Sequence, residues 1–272
     1  MERFGDVTFE IDNHVATVTL DRPQARNALN DSVRAGIDAA LARIRSGAGD
    51  EIRAVVLTGA GGAFCSGGDI ATLSEFADKP AAAMRQRMRD AHDRIRTIIN
   101  LDLPVVAAVD GAAAGAGFSL ALACDFILAS PRARFVMSFG RIGLVPDWGA
   151  FYLLPRIVGL QTAKELVFSA RSVDAEEAKT LGIVHHIHHV DELLDRARAF
   201  AARFNDASTL AIGLAKQALN QSFQLDLTAM LEIEANAQAV ANNSVYHRDA
   251  AARFLAKEKL SFAWENFSED DQ

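Results

Sequence analysis

Apolar and polar residues alternate near the start of the chain. Val7–Ile11 and Val15–Leu20 both follow a period of two, and the turn-forming pair Asp12-Asn13 lies between them, so this segment predicts a β-hairpin. The apolar spacing then lengthens to that of a helix, which Asn30 or Asp31 caps. The apolar face of this helix consists of Val33, Ile37, Leu41 and Ile44.

Short continuous apolar runs further along the chain predict buried strands. These runs are Ala54–Leu57, Pro104–Val109 and Phe126–Ala129. A charged segment with helical periodicity, from about Ala81 to Asn100, separates the first run from the second. Strands that alternate with helices predict an α/β fold with crossover connections and a partly parallel sheet.

From about Gln161 the pattern becomes almost wholly helical. Asp174 and Glu177 have the spacing of a capping box, and Gly182 is a helix stop. Further helices are predicted at about Val190–Asn205, Leu210–Gln221, Leu225–Asn242 and Tyr246–Glu258. We therefore predict an α/β core over residues 1–200, followed by a helical C-terminal region over residues 201–272.

Composition narrows the class of protein. Half of the 272 residues are apolar, which is ample for a large core, and the net charge of −7 argues against a general nucleic-acid binder. The two cysteines and the acidic start of the chain favour a cytoplasmic protein without a secretory signal. Asp110 and Asp125 interrupt the most apolar stretch, Val105–Ala129, so it predicts core and not a membrane span.

Two glycine-rich segments follow buried strands and precede helices. They are residues 59–70, which include Phe64 and Asp69, and residues 111–120. Each can be a plain strand-to-helix turn, with Asp69 near the start of its helix. The first segment is not a phosphate-binding loop, since no Gly-Lys-Ser/Thr follows, and not a dinucleotide fingerprint, since Phe64 stands where the third glycine would be. Together they can direct two backbone N–H groups at one carbonyl oxygen, as an oxyanion hole requires.

A third segment, residues 142–149, contains Asp147 before an apolar helix at Ala150–Leu154. Asp147 can be a simple helix N-cap. Alternatively, Trp148, Val145 and Phe139 surround it with apolar groups, and burial then raises its pKa toward the range of a general base.

The histidines are weaker candidates. A strand would send His185 and His189 to one face and His186 and His188 to the other, so we predict no metal site. His92 lies in a charged helix, where it is either solvated or part of a pocket. No Gly-x-Ser-x-Gly sequence is present, so a hydrolase triad is not supported.

These segments, in this order, resemble the crotonase (enoyl-CoA hydratase/isomerase) family over nearly the whole chain. The resemblance rests on Leu20-Asp21-Arg22-Pro23, Asn27-Ala28-Leu29, Leu57-Thr58-Gly59, Phe64-Cys65-Ser66-Gly67-Gly68-Asp69, Pro104–Gly111, Gly115-Ala116-Gly117, Ala123-Cys124-Asp125, Gly143–Asp147 and Phe254-Leu255-Ala256-Lys257. It implies a ββα spiral whose helical C-terminal region forms homotrimers, often paired as hexamers.

The resemblance also implies a substrate and a site. The substrate is an acyl-CoA thioester, and no separate cofactor is expected because coenzyme A is part of that substrate. The oxyanion donors are the N–H groups of Gly68 and Ala116. The residues that line the coenzyme A channel are Arg26, Ala28, Ala63, Ser66, Asp69 and Ile70. Lys257 meets a phosphate, in the same subunit or a neighbouring one.

Departures from the family pattern bear on the reaction. The two glutamates that hold water in hydratases are replaced by Ser119 and Phe139, neither of which is a carboxylate base. Asp147 remains, at the position where isomerases of the family carry their single acid. The surrounding residues 135–147 are especially similar to ring-epoxide isomerases of the family. We therefore expect a double-bond or ring-epoxide isomerase.

Other functions stay open from the sequence. They are hydration of a 2-enoyl thioester, nucleophilic attack by Asp147 with help from His92, and an RNA-binding or scaffold role. The acyl group is not identified by the sequence. Residues expected to shape its pocket are Phe76, Met84, Met88, Phe139 and Trp148.

Overall fold

The computed structural model describes residues 1–74, 79–262 and 264. Its strands are β1 (Glu2–Phe4), β2 (Val7–Asp12), β3 (Val15–Leu20), β4 (Ala54–Gly59), β5 (Val105–Val109), β6 (Ala112–Ala114), β7 (Phe126–Ala129), β8 (Arg134–Val136), β9 (Ser172–Asp174) and β10 (His186–Ile187). Its helices are α1 (Asp31–Gly47), α2 (Ile70–Ser74), α3 (Ala81–Ile99), α4 (Ala116–Leu122), α5 (Ala150–Val158), α6 (Leu160–Ser169), α7 (Ala175–Thr180), α8 (Leu193–Ala202), α9 (Thr209–Gln221), α10 (Leu227–Asn242) and α11 (Val245–Leu255).

The larger sheet has the strand order β1-β2-β3-β4-β5-β7-β10. The predicted hairpin is confirmed as the antiparallel pair β2 and β3, whereas β4, β5, β7 and β10 each join the sheet in parallel. Alternate residues of the parallel strands face opposite sides. Val55 and Ala107 face the main core, and Val56 and Ala108 face helix α8. Burial on both sides explains why these strands are continuously apolar.

A second, three-stranded sheet has the order β6-β8-β9. The chain places β5 in the larger sheet, then β6 in the smaller one, and then forms α4. It repeats this order with β7, β8 and a 3-10 helix at Ser138–Ile142. Each turn of this ββα spiral therefore brings the loop after its second strand to the same region of the molecule.

Helix α1 begins where the sequence predicts. The side chain of Asn30 accepts a hydrogen bond from the backbone N–H of Val33 at 2.8 Å, which satisfies one of the unpaired donors of the first turn. The predicted apolar face is buried against the sheet, and Arg34 is buried beside it. The sequence pattern alone does not anticipate a buried cation in this helix.

The C-terminal half contains the predicted helices and two short strands that were not predicted, β9 and β10. The capping box is confirmed in part, since Asp174 accepts a hydrogen bond from the N–H of Glu177 at 2.9 Å. An ion pair of 2.7 Å between Lys216 and Asp125 ties α9 to the sheet. Within the described residues, no helix is long and apolar enough to cross a membrane.

Candidate active site

A cavity of about 480 Å³ lies where the two glycine-rich loops meet α1, α3 and the segment before α5. Most of the residues that the sequence predicts for the site contribute to its wall. They are Ala28, Ser66, Gly68, Asp69, Ile70, Ala116, Phe139 and Asp147. The fold therefore brings three segments that are far apart in sequence to one place.

The first glycine-rich loop is held as an extra strand between two neighbours. On one side, Cys65 donates its N–H to Ala112 at 2.9 Å and accepts the N–H of Ala114 at 2.9 Å. On the other side, Leu29 donates to the carbonyl of Gly67 at 2.8 Å. The C=O of Gly67 and the N–H of Gly68 belong to one trans peptide group and point in opposite directions, so the N–H of Gly68 points away from Leu29. Gly68 lines the cavity on that side.

The second loop places Ala116 at the first position of α4, where a backbone N–H has no acceptor within the helix. Gly115, with φ at 52°, makes the turn into that helix. A Cβ on Gly67 would lie 3.5 Å from the nitrogen of Ala116, so the two loops are in contact. Among the described residues, neither Gly68 nor Ala116 donates its N–H to another group. This arrangement can offer two donors to one oxygen.

Asp147 is not a helix N-cap. Gly149 occupies the N-cap of α5 without a side-chain hydrogen bond. Trp148 has a φ of 52° and Gly149 a φ of 82°, so the chain turns sharply between Asp147 and the helix. A left-handed conformation at a bulky residue is strained, which is characteristic of functional sites.

The carboxylate of Asp147 is half-buried in the cavity, and its Oδ1 atom is buried without a hydrogen-bond partner. Burial raises the pKa of Asp147 from 3.8 to about 6. Trp148 and Phe139 are buried and supply the apolar surroundings, as predicted. The prediction for Val145 is wrong, because 69% of that residue is exposed.

Arg34 and Arg87 also line the cavity and were not predicted as site residues. Both attract the charged form of Asp147 and lower its pKa, but less than burial raises it. Arg34 donates to Asp31 at 3.1 Å. The sequence gives little signal for this pair, since an arginine in an amphipathic helix is ordinarily on the solvent face.

Among the described residues of the cavity wall, Asp69 is the other carboxylate, and it has a different setting. It forms an ion pair of 2.5 Å with Arg22 and accepts the N–H of Ala71 at 2.9 Å, as a residue at the start of a helix does. The hydrogen bond from Arg22 holds the pKa of Asp69 below its usual range. The carboxylate of Asp69 is therefore engaged by Arg22 and Ala71, whereas Oδ1 of Asp147 has no hydrogen-bond partner.

Three predicted channel residues do not line this cavity. Arg26 is exposed, and its backbone carbonyl accepts the N–H of Ser66 at 2.9 Å. Ala63 is buried, and its carbonyl accepts from Asn27 at 2.7 Å. Lys257 is exposed beyond the last helix. The first two act through their backbone, because they fix the loop that carries Gly68.

The expected acyl-pocket residues divide into three groups. Met88, Phe139 and Trp148 line the cavity, whereas Met84 does not. Phe76 lies outside the described residues. The cavity wall is thus apolar at Met88, Phe139 and Trp148.

The histidines are outside this site. His92 lines a separate cavity of about 540 Å³ with Tyr152. His185 and His186 contact each other ring to ring, with 4.2 Å between centroids. The described part of the chain contains no group of three or more potential ligands that could hold a metal ion.

A cavity with two available main-chain amides and one unpartnered carboxylate is suited to a carbonyl compound that gains or loses a proton. Comparison with known proteins agrees with this class. Residues 10–267 match the family described as Enoyl-CoA hydratase/isomerase. The chain belongs to that family of acyl-CoA enzymes, and its ββα spiral is the crotonase fold.

Individual relatives support the same family and differ in activity. The 1,2-epoxyphenylacetyl-CoA isomerase of Escherichia coli K12 is 34% identical, with 93% of this chain and 96% of the relative covered. The short-chain-enoyl-CoA hydratase of Clostridium acetobutylicum is also 34% identical, with 94% and 97% covered. The crystal structure of an enoyl-CoA hydratase/isomerase from Cupriavidus metallidurans CH34 superposes with a TM-score of 0.91 at 42% identity, covering 96% of this chain and 97% of that one.

Proposed function

We propose that this protein is an acyl-CoA isomerase that uses Asp147 as its single base. The observation that carries the proposal is that Asp147 lines the same cavity as Gly68 and Ala116 while its buried Oδ1 has no hydrogen-bond partner. A carboxylate in that state is ready to accept a proton from a bound substrate.

In the proposed reaction, the N–H groups of Gly68 and Ala116 hold the thioester oxygen. With a pKa of about 6, Asp147 is about nine-tenths ionised at neutral pH. It removes a proton beside the double bond or ring and produces a dienolate, whose charge lies on the held oxygen. Each such donor stabilises the charged state by about 3–4 kcal/mol in comparable sites. Asp147 then returns the proton to another carbon.

The choice of isomerase over hydratase rests on the groups near Asp147. Adding water needs a second group that positions the water molecule. Ser119 is fully buried and donates to the carbonyl of Gly115 at 3.3 Å, and Phe139 offers no acceptor. Asp69 is occupied by Arg22. The isomerase name of the Escherichia coli relative agrees with this choice.

The proposal extends to binding and assembly. Residues around the mouth of the cavity, with Ser66 and Ile70 among them, would contact coenzyme A, which belongs to the substrate; no separate cofactor is needed. A homotrimer, or a dimer of trimers, would cover apolar side chains that α10 and α11 expose, such as Leu227 and Phe254. In such an assembly Lys257 would meet a phosphate of a neighbouring subunit's ligand. We place the protein in the cytoplasm.

The test compares wild type, Asp147→Asn and the exposed control Asp93→Asn of α3 with trans-3-hexenoyl-CoA. Wild type and the control convert it to the 2-enoyl isomer, and Asp147→Asn loses at least about 100-fold in kcat because general acid–base catalysis is removed. Full isomerase activity in Asp147→Asn would remove Asp147 from its role.

Hydration is the second candidate, because the Clostridium relative carries that name. Its assay is hydration of crotonyl-CoA by the wild-type protein. Rapid formation of the 3-hydroxy product, with slow isomerisation of the 3-enoyl thioester, would replace the isomerase proposal with a hydratase.

A further inference from the structure

The part of the cavity formed by α1 and α3 carries two guanidinium groups. Arg34 is only 9% exposed, and Arg87, from the neighbouring helix, is half-buried. Both lie close enough to Asp147 to affect its pKa. The proposed proton transfer uses neither of them.

The two arginines are held together against their mutual repulsion. Burial and then the charge of Arg87 lower the pKa of Arg34. Asp31 offsets part of this, at 3.1 Å, but its side chain is 85% exposed and water screens its charge. With Asp147 ionised, one negative charge in the cavity faces these two positive charges, so the site favours one further anionic or electronegative group.

Arg34 and Arg87 also line a second cleft, of about 450 Å³, between α1 and α3. The cleft contains acids, but Asp38 forms a two-bond ion pair with Arg94 at 2.7 Å and Asp90 accepts from Gln86 at 2.9 Å. Arg34 and Arg87 therefore lie between this cleft and the cavity of Asp147. Both guanidinium groups are charged, as arginine always is in proteins.

We propose that Arg34 and Arg87 form a subsite for an oxygen acceptor on the acyl group, remote from the thioester. The inference rests on the proposed function, since it names the substrate class of the same site. Arginine donates strong, charge-assisted hydrogen bonds to such oxygens. The apolar side chains of Met88, Phe139 and Trp148 would pack on the carbon skeleton between the two ends. The preferred substrates are thus acyl thioesters that bear a carboxylate or a ring oxygen, and not plain hydrocarbon chains.

Matched pairs of unreactive thioesters test the subsite by calorimetry. Adipoyl-CoA against hexanoyl-CoA reports a terminal carboxylate, and (tetrahydrofuran-2-yl)acetyl-CoA against cyclopentylacetyl-CoA reports a ring oxygen. Wild type is expected to bind the oxygen-bearing member of one pair at least about tenfold more tightly. This ratio corresponds to the free energy that one charge-assisted hydrogen bond contributes. The pair that shows the preference identifies the source of the oxygen.

The variants are Arg34→Met and Arg87→Met. The control is Arg85→Met, which removes an exposed charge from α3, the helix that carries Arg87. The preference is expected to fall to near onefold in the first two and to remain in the control. If Arg34→Met fails to fold, as circular dichroism would show, Arg87→Met decides the result, because its side chain is less buried.

Two outcomes overturn the subsite. One is equal binding of both members of each pair by wild type. The other is an equal loss of affinity for all four thioesters in Arg87→Met, which would assign the arginine to coenzyme A. Failure of the subsite can be told apart from failure of the isomerase proposal. The isomerase proposal is tested by the activity of Asp147→Asn, whereas the subsite is tested only by ratios of binding affinity.

Discussion

Replacing Asp147 with asparagine removes a largely buried charge from the cavity and leaves the shape of the side chain nearly unchanged. In the folded protein the pKa of this carboxyl is about 6 instead of the ordinary 3.8. Each pH unit of that difference corresponds to about 1.4 kcal/mol. The ionised carboxylate therefore destabilises the folded state by about 2–3 kcal/mol, after allowance for its partial contact with solvent.

The sign of the effect depends on pH. Below about pH 3 the carboxyl is protonated in both the folded and the unfolded chain, so it costs nothing. The cost grows as the pH rises from about 4 to about 6, where the unfolded chain is ionised and the folded chain is not, and it is then constant. Asp147→Asn should thus be about 2–3 kcal/mol more stable than wild type at about pH 7.5, with a difference of less than about 1 kcal/mol at about pH 4.

The measurement is urea unfolding at several pH values, at one fixed protein concentration because assembly contributes to stability. Asp93→Asn is the control for removing an exposed charge and should shift stability by less than about 0.5 kcal/mol. No gain for Asp147→Asn at about pH 7.5, or the same gain at every pH, would refute the argument that this carboxylate is desolvated. Activity should move in the opposite direction, and wild-type kcat/KM should fall below about pH 6 as the base is protonated.

Three further predictions concern the support of the site. Gly117→Ala should lower the free energy of unfolding by about 1–3 kcal/mol, and activity with it, because a Cβ there would lie 2.2 Å from the carbonyl oxygen of Cys65; Gly140→Ala, with its nearest contact at 3.5 Å, is the matched control. Lys216→Met should cost about 1.5–3 kcal/mol in chemical denaturation, since it leaves the Asp125 carboxylate, whose side chain is 24% exposed, without its charged hydrogen-bond donor; a loss below about 1 kcal/mol would contradict this. The thiol of Cys65, whose pKa burial raises to about 12, should not react with a disulfide reagent at about pH 8 until the protein is unfolded.

Much of the fold was predictable because periodicity reports burial directly. The hairpin of β2 and β3, the cap at Asn30 and the buried strands β4, β5 and β7 all follow from residues close together in the chain. Strands β6 and β8 are only three residues long and pair with distant segments, so their local sequence carries no clear period. The same reason explains the missed strands β9 and β10.

The sequence predicted the glycine-rich loops and Asp147 of the site, but not the two arginines beside Asp147. Glycine-rich turns after strands indicate exposed amides, and a proline before Asp147 marks the chain's change of direction. The distinction between an N-cap and a buried carboxylate depends on the left-handed backbone at Trp148, which no local pattern signals. Arg34 and Arg87 come from helices that meet only in the folded chain, so their proximity could not be inferred from spacing.

The loop that carries Gly68 is fastened by backbone hydrogen bonds on both edges, to Leu29 and to β6. The side chains of Asn27 and Arg22 add hydrogen bonds to Ala63 and Asp69 of the same loop. In the proposed reaction, backbone N–H groups hold the thioester oxygen, whereas side chains from other segments contact the acyl group. Substitutions at positions such as Met88 or Phe139 could retune selectivity in evolution or in the laboratory without loosening the hold on the thioester.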